Sequence, residues 1–576
     1  MLMKMKIRSI LAMFIVALLA GCAQGPSDPT EEAFRAIDQF VLHSMETHGT
    51  PGLALAVTKG DGLLYEGVYG YADLKRRTPV TPETLFQIGS ITKSFTALGL
   101  MNLWDKGVFD PKKPVVDYLP WFSVQSEFEP IAAHHLLSHT AGIPANRDDI
   151  FGSPYQAWAL REQSTAWPPG ERFLYSNVGY QTLHVLLEEL SGEDYAGYIE
   201  DLILEPLDMQ HTNAAITLES RASQAVGYNQ PYDDRPSHRS RPLVEAPFHE
   251  YAIGDGCIQS TAADMAAYVR MLLNRGQGPH SRIVSEEAFN IFATAHIHPS
   301  PENTEVGYGY GIDTGIEDGH EYLRHSGGMV GLYAYIAADL TEDVGVVVLV
   351  NGPAYMVPIV DYALQAIAAA NRGEDPPPLP DFEGDPTLVE NGPDYAGTFR
   401  SESGRTIVFE ASGSGLLLRD GTEEIVLENI GEDLFYTPHP AFDRYAFTFG
   451  RDDDESVVEV SHGVSWFTNG RYTGPRDFEI PEAWSAFTGR YRSFSPWFSY
   501  FEIITREGQL MAVTGEGGES SSGETVLLPI DDGVFRIGEE VTPEVLRFED
   551  VVAGRALQAT WSGHPFFRVP ESGSRP

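Results

Sequence analysis

The chain has 576 residues, of which 42 % are hydrophobic and 21 % charged. This balance excludes a fibrous or largely disordered chain, and the length predicts several domains. The formal net charge of −43 at pH 7 excludes a surface that attracts nucleic acid or anionic lipid headgroups, so we expect no nucleic-acid partner.

Residues 1–21 are predicted to form an export signal. Basic residues at positions 4, 6 and 8 precede an apolar run over 10–19 that is too short to span a bilayer comfortably. The run ends in Leu-Ala-Gly-Cys at Cys22, which resembles a bacterial lipobox and implies lipidation of Cys22. An ordinary secretory signal that ends near a cysteine is the alternative.

The lipobox resemblance also implies a location. Residues 22–30 form a short polar tether after the lipid site. We therefore expect a protein of the bacterial cell envelope that is anchored to the membrane by its lipid. Ala23 follows the cysteine, which favours the outer membrane, facing the periplasm.

Residues 31–372 mix helical and strand-like segments and are predicted to form one α/β domain. Apolar spacing predicts a helix over 31–45, and two strands over 53–57 and 63–69 are joined by a Gly-Asp-Gly turn. Apolar residues at spacings of three predict a helix over 90–106. The β-branched run 344–350 predicts a buried strand.

The amino-acid composition of the chain changes at residues 373–393. Prolines lie there among acids and glycines, which is typical of a stiff linker. Beyond it, short strands and Gly-rich turns are typical of antiparallel barrels or sandwiches.

An internal repeat divides this last part of the chain. Four short segments recur in order at an offset of about 92 to 100 residues. The repeat predicts homologous all-β domains over 394–480 and 484–571, with chance similarity between β-rich segments as the alternative. The pairs are 395–399 with 487–491, 415–417 with 508–510, 434–436 with 534–536, and 447–449 with 546–548.

Ser90-x-x-Lys93 is the only Ser-x-x-Lys in the chain. A spacing of three on a helix places the lysine amine one turn from the serine hydroxyl, on the same face. A serine hydroxyl is a weak nucleophile until a base takes its proton, and a lysine amine can be that base if its pKa is lowered. The four-residue pattern alone equally fits two surface residues.

Two further motifs indicate which family the Ser90-x-x-Lys93 pattern resembles. Tyr175-Ser176-Asn177 and His325-Ser326-Gly327 are the only Tyr-x-Asn and His-x-Gly in the chain, and they follow Ser90 in this order. In order and separation the three motifs resemble those of the penicillin-recognising serine hydrolases, in particular the class C β-lactamase-like branch. The segments 85–89, 136–144 and 255–264 look similar too, so the resemblance covers about residues 31–372.

The resemblance implies a fold and roles for these residues. It implies a serine β-lactamase-like catalytic domain with an antiparallel sheet and a helical subdomain. Ser90 would form the acyl-enzyme, Lys93 and Tyr175 would share proton transfer, and Asn177 would hydrogen-bond a substrate amide.

The resemblance also implies that His325 of the third motif is a catalytic residue, and that Ser326, Gly327 and Gly328 bind substrate along an edge strand. The N–H groups of Ser90 and Gly328 would form the oxyanion hole. His325 stands where true class C β-lactamases have a lysine, and a neutral imidazole is a weaker anchor for a substrate carboxylate. We therefore expect inefficient β-lactam hydrolysis.

The paired β-domains sharpen the resemblance. D-aminopeptidases of this branch carry two lipocalin-like barrels after the catalytic domain, and one barrel reaches toward the active site. This implies a serine hydrolase acting on peptides with D-residues or on peptidoglycan fragments, without a cofactor. The alternatives are an esterase on small acyl esters and a non-catalytic penicillin-recognising protein that displays two barrels as ligand receptors.

Cysteine and histidine residues suggest little further chemistry. With Cys22 lipidated, Cys257 has no intrachain partner and is predicted to be a small buried hydrophobe rather than a nucleophile. His134, His135 and His139 could suggest a metal site, but no acidic partner is obvious. We expect packing or capping roles and no metal.

Overall fold

The computed structural model describes residues 28–145, 153–380, 385–515 and 523–570. The signal peptide and Cys22 lie outside the described residues, so export and lipidation stay predictions. No helix among the described residues is long and apolar enough to cross a membrane.

The first part of the structure is built on a large antiparallel sheet. Eight strands are hydrogen-bonded side by side, and four short strands form two separate pairs. In chain order they are β1 (Gly52–Lys59), β2 (Gly62–Asp73), β3 (Thr78–Pro79), β4 (Phe86–Gln87), β5 (Tyr228–Asn229), β6 (Val244–Glu245), β7 (Gln259–Ser260), β8 (Val306–Tyr308), β9 (Asp313–Glu317), β10 (His320–Met329), β11 (Leu332–Asp339) and β12 (Val344–Val350). The order in the sheet is β3-β2-β1-β12-β11-β10-β9-β8, while β4 pairs with β7 and β5 with β6.

Helices cover both faces of this sheet. They are α1 (Pro29–His48), α2 (Thr92–Asp105), α3 (Ala133–Leu137), α4 (Ser153–Ala159), α5 (Asn177–Ser191), α6 (Tyr195–Ile199), α7 (Ala262–Leu273), α8 (Glu286–Ala293) and α9 (Met356–Asn371). Because strand residues alternate between faces, Val346 and Val348 of β12 pack with α1 and α9. Val347 and Leu349 pack in a core with α2, α5 and α7. All of β12 is buried, which confirms the predicted buried strand.

The predicted helix over 90–106 begins slightly later than expected. Gly89–Ile91 form a 3₁₀ turn, and the α-helix starts at Thr92. Most of α2 is buried on all sides, so its apolar residues do not form a single stripe. Ser90 therefore sits in a tight turn at the N-terminal entrance of a buried helix.

The C-terminal part forms two closed barrels of eight antiparallel strands each. A short helix, α10 (Gly392–Tyr395), precedes the first barrel, which comprises β13 (Gly397–Arg400), β14 (Thr406–Ser412), β15 (Gly415–Asp420), β16 (Glu423–Gly431), β17 (Leu434–Tyr436), β18 (Phe447–Arg451), β19 (Val457–His462) and β20 (Ser465–Thr468). The second barrel comprises β21 (Gly489–Arg492), β22 (Tyr500–Arg506), β23 (Gln509–Val513), β24 (Glu524–Asp531), β25 (Val534–Ile537), β26 (Val545–Val552), β27 (Arg555–Trp561) and β28 (His564–Arg568).

The barrels confirm the expected fold class, a mixed α/β domain followed by two all-β barrels. The repeated sequence segments fall on matching strands, β13 with β21, β15 with β23, β17 with β25 and β18 with β26. Buried aromatic side chains fill both interiors, such as Phe409 and Phe449 in the first barrel and Phe501 and Phe548 in the second. Interiors filled in this way are cores rather than ligand cavities.

Residues 230–241, between β5 and β6, contact both barrels. Arg235 Nη1 donates to Asp443 of the first barrel at 2.8 Å. Asp233 accepts from both terminal nitrogens of Arg492 in the second barrel, each at 2.7 Å. Residues 374–380 have no regular secondary structure, and the predicted domain boundaries around this stretch stay predictions.

Candidate active site

Ser90 and Lys93 are in direct contact. Lys93 Nζ donates to Ser90 Oγ at 2.9 Å and to the main-chain oxygen of Asp255 at 2.8 Å. The Lys93 side chain is fully buried, and its Nζ lies 4.9 Å from the centre of the Tyr175 ring. The helix start thus brings the two residues together as the spacing of three predicts, with the lysine buried rather than on the surface.

The main chain of β10 lies against the turn that carries Ser90. A Cβ placed on Gly327 would lie 1.8 Å from the main-chain oxygen of Ile88, and one on Gly89 would lie 2.6 Å from the nitrogen of Gly328. Gly89 also has φ +50°, a left-handed conformation that suits glycine. Only glycine permits this close approach, which places the Ser90 and Gly328 backbones side by side.

His139 holds the segment that carries Tyr175. Its main-chain oxygen accepts from Leu174 N at 2.8 Å, and its Nδ1 accepts from Ser176 N at 3.0 Å. The His139 and Tyr175 ring centres are 4.2 Å apart. Burial, and secondarily the Lys93 charge, lower the pKa of His139 well below its usual value, so the imidazole is neutral and can accept from Ser176.

Ser176 and Asn177 start helix α5. Ser176 is the N-cap, and its hydroxyl accepts from Gly179 N. The main-chain nitrogen of Asn177 donates to Ala145 O at 2.8 Å. Asn177 is half-buried, close in sequence to Tyr175 but at the first position of the helix.

His325 points into the site from β10. Its Nδ1 contacts the Ser326 main-chain oxygen, which places the ring proton on Nδ1 and leaves Nε2 to accept from Tyr308 OH at 3.3 Å. Burial, together with the charge of Lys93, lowers the pKa of His325 to about 4. At neutral pH the side chain is therefore uncharged and offers no cation to a substrate carboxylate.

Asp255 supports Lys93 from behind. Its carboxylate accepts from Tyr251 OH at 2.8 Å and from Gln181 Nε2 at 3.2 Å, while its main-chain oxygen accepts from Lys93. Burial raises the pKa of Asp255, and the nearby Lys93 charge opposes that rise. This residue fixes the position of the amine through the backbone.

A cavity of about 650 Å³ opens beside Ser90. Of the residues singled out from the sequence, it brings together Ser90, Tyr175, His325, Ser326 and Gly328. Lys93 is buried beneath it, and Asn177 and Gly327 are absent from its lining. The remaining lining residues are Phe173, Pro299, Val306, Tyr308, Asp313, Glu317, Arg324 and Tyr335.

Comparison with known proteins now decides the family. The beta-lactamase family model matches residues 37–370, more than half of the chain. The chain belongs to the beta-lactamase family. The family resemblance seen in the three motifs is thereby confirmed.

Several relatives of this beta-lactamase-family chain share its N-terminal part. It is 30 % identical over 309 residues to "Penicillin-binding protein 4*" of Bacillus subtilis, covering 50 % of this chain and 64 % of the relative. It is 25 % identical over 341 residues to "Protein flp" of Staphylococcus aureus, covering 57 % and 65 %. The chain thus spans slightly under two thirds of the length of these relatives.

A solved structure is similar over a longer stretch. The octameric penicillin-binding protein homologue from Pyrococcus abyssi is 28 % identical, with a TM-score of 0.54. The match covers 75 % of this chain and 99 % of that one. At this identity the comparison supports the family and leaves the substrate open.

Several residues of this beta-lactamase-family site were missed by sequence reasoning. Tyr308, Asp313 and Arg324 line the cavity, yet none belongs to a recognisable motif. The Gly-Tyr-Gly-Tyr-Gly run at 307–311 marks an unusual turn, and Arg324 precedes His325. These sequence features indicate that the region is unusual, but they predict no role for Tyr308, Asp313 or Arg324.

The other candidates have ordinary partners. Cys257 is buried and its Sγ donates to Ala214 O at 3.1 Å, as predicted for a small hydrophobe. His134 Nδ1 contacts Tyr310 OH at 2.8 Å, and His135 Nδ1 accepts from Ala132 N at 3.0 Å. Across the described ranges, no group of three or more His, Cys, Asp or Glu side chains is placed to hold a metal ion.

Proposed function

We propose that this protein is a serine hydrolase that forms an acyl-enzyme on Ser90, with D-residue peptides or peptidoglycan fragments as substrates. The observation that carries the proposal is the 2.9 Å contact between Lys93 Nζ and Ser90 Oγ at the floor of a cavity that Tyr175 and His325 also line. A nucleophile within hydrogen-bond reach of a base is the arrangement that covalent catalysis needs.

The chemistry follows from these positions. Ser90 Oγ attacks the substrate carbonyl carbon, and its proton passes through the Lys93 and Tyr175 side chains to the leaving amide nitrogen. The carbon–nitrogen bond breaks and an amine departs. Water then adds to the Ser90 ester, releasing a carboxylic acid and returning the proton to Ser90.

The developing oxyanion has two natural donors. The N–H groups of Ser90 and Gly328 are brought side by side by the close approach at Gly327. Preorganised backbone donors of this kind stabilise a tetrahedral intermediate by several kcal/mol, about 3 for one donor. The strand-to-turn contact therefore supports acyl transfer as the reaction type.

An esterase is the second candidate. The neutral His325 offers no cation to a substrate carboxylate, which favours uncharged acyl groups over carboxylate-bearing ones and over β-lactams. A purely ligand-binding role is disfavoured, because both barrel interiors are filled with buried aromatic residues.

The test combines labelling with a substrate panel. A fluorophosphonate probe should label the wild type, and Ser90→Ala should lose the label and roughly 10³-fold or more of turnover. The panel contains D-aminoacyl amides, D-Ala-D-Ala peptides, p-nitrophenyl esters and a chromogenic cephalosporin. Equal labelling of the variant would overturn the nucleophile, and turnover of esters alone would favour the esterase.

A further inference from the structure

One carboxylate in the cavity beside Ser90 has no hydrogen-bond or ion-pair partner among the described residues. Asp313 begins β9 and lines the same cavity as Ser90 and His325. Within the described part of the chain its carboxylate accepts no hydrogen bond and forms no ion pair. Asp313 is half-buried, so its carboxylate is partly removed from water, and in a substrate cavity a ligand can compensate for the lost solvation.

The neighbouring cation is already engaged. Arg324 lies directly opposite Asp313 in the pairing of β9 with β10, but its guanidinium forms its ion pair with Glu317. It is also hydrogen-bonded to Tyr335 and lies near the Asp361 carboxylate. Arg324 therefore neutralises other acids, and the wall formed by Asp313, Glu317 and Arg324 keeps a net negative charge.

Among the residues that the structure describes, Arg324 is the positive charge that acts on the Asp313 carboxylate. On β8 its cross-strand neighbour is Tyr308, and His325 is neutral. Burial raises the pKa of Asp313 to about 6, with the Arg324 charge opposing the rise. The group is thus mainly ionised at neutral pH, and a nearby cation would favour its charged form further.

We propose that Asp313 is a specificity-determining residue that binds an ammonium group of the substrate in the cavity beside Ser90. The inference rests on the proposed function and narrows its substrate class to compounds carrying a primary amine close to the scissile bond. That amine is either a free α-amine or the side-chain amine of a diamino acid.

A carboxylate ligand fits this wall less well. It would have to displace Glu317 from Arg324 and would lie beside the Asp313 carboxylate, and like charges at this range repel. An ammonium ligand requires neither change. The cavity therefore favours a positively charged ligand group over a negatively charged one.

The test measures binding without turnover. In the Ser90→Ala background, the affinities of D-alaninamide and N-acetyl-D-alaninamide are compared by calorimetry, as are those of N-acetyl-D-lysinamide and its Nε-acetylated form. We expect at least one amine to bind roughly tenfold tighter than its acetylated partner. Adding Asp313→Asn should abolish that preference. The first pair reports an α-amine and the second a side-chain amine.

Asp318→Asn is the matched control. Asp318 is an exposed acid in the turn between β9 and β10, outside the cavity lining, with φ +51° that asparagine tolerates. It should leave both preferences unchanged. If neither amine is preferred, or if Asp313→Asn keeps the preference, the inference is wrong.

Labelling separates this result from the proposed function. The wild type and Asp318→Asn, both with Ser90 intact, should react with the fluorophosphonate at the same rate, because Asp318 lies outside the cavity lining. Normal labelling without an amine preference would refute only the Asp313 inference. An amine preference in a protein whose Ser90 is never labelled would refute only the acyl-enzyme.

Discussion

A buried, neutral histidine such as His184 makes the folding stability of this protein sensitive to acid. His184 on α5 accepts from Gly254 N at 3.2 Å through Nδ1, and burial lowers its pKa to about 4. The unfolded chain takes up this proton near pH 6.5. Because the folded state resists protonation, its stabilising contribution is complete above pH 6.5 and is lost as the pH falls toward 4.

We therefore predict that His184→Asn reduces the acid sensitivity of the catalytic domain. Between pH 7 and pH 5 the titration of His184 should cost the wild type about 1 to 2 kcal/mol of folding free energy, and the variant should lack this part of the loss. The measurement is the shift of the thermal midpoint between the two pH values in both proteins. Identical shifts would show that His184 is readily protonated in the folded state.

At the scale of elements, the site depends on how closely β10 approaches the turn before α2. The two elements are distant in sequence, and their contact is made through glycine backbone at Gly89 and Gly327. A side chain at such a contact cannot rotate away from main-chain atoms, so the elements must separate. The N–H groups of Ser90 and Gly328, which we propose as oxyanion donors, would then move apart.

Gly327→Ala should accordingly lower kcat/KM by roughly 10²-fold or more, the scale of losing an oxyanion donor. Gly256→Ala is the matched control, because its Cβ would meet Met329 Sδ at 3.5 Å, an ordinary contact, and Gly256 is not among the described residues that line the cavity. The measurements are fluorophosphonate labelling rate and turnover, with circular dichroism to confirm folding. Equal losses in both variants would contradict the role of the close approach.

At the scale of the whole molecule, the second barrel supports the site from behind. Trp497 in the second barrel packs on Tyr251, with ring centres 5.8 Å apart, and Tyr251 bonds the carboxylate of Asp255. Glu544 accepts from Ala145 N at 2.6 Å. The main-chain oxygen of Ala145 in turn accepts from Asn177 N. Among the described residues, however, the lining of the catalytic cavity comes from residues before the barrels.

We predict that a chain ending at Arg372 changes substrate choice more than stability. Without the second barrel, Tyr251 and Ala145 lose their support, so selectivity for small aminoacyl substrates should weaken relative to larger acyl donors. The measurement is the ratio of kcat/KM for a D-aminoacyl amide to that for a bulky ester, in full-length and truncated forms. An unchanged ratio with an intact, cooperative melt would show that the barrels do not shape the site.

Point variants make the same comparison in the full chain. Trp497→Ala should shift the ratio in the direction of the truncation, because it removes the contact with Tyr251. Phe494→Ala serves as the control, since this aromatic residue lies near Trp497 in the same barrel but is 95 % exposed. If both variants shift the kcat/KM ratio equally, the effect belongs to the segment between β21 and β22 as a whole and not to the contact of Trp497 with Tyr251.

The sequence by itself determined the order of the three motifs at Ser90, Tyr175 and His325, the mixed α/β fold and the two barrels. Local patterns in the sequence predict these features. They are the spacing of Ser90 and Lys93 on a helix, the apolar run of β12, and the strand segments that recur at a similar offset. Each depends on neighbours along the chain, so periodicity and spacing are enough to predict it.

Only the tertiary structure decided what surrounds those motifs. The approach of Gly327 to the Ser90 turn and the support of Lys93 by Asp255 join segments far apart in the chain, and so does the cavity that Asp313 lines together with Ser90. Burial and the absence of a partner are properties of the packed molecule, and they set the charge of His325 and Asp313. No spacing in one sequence specifies them, because they depend on which distant strands and helices meet.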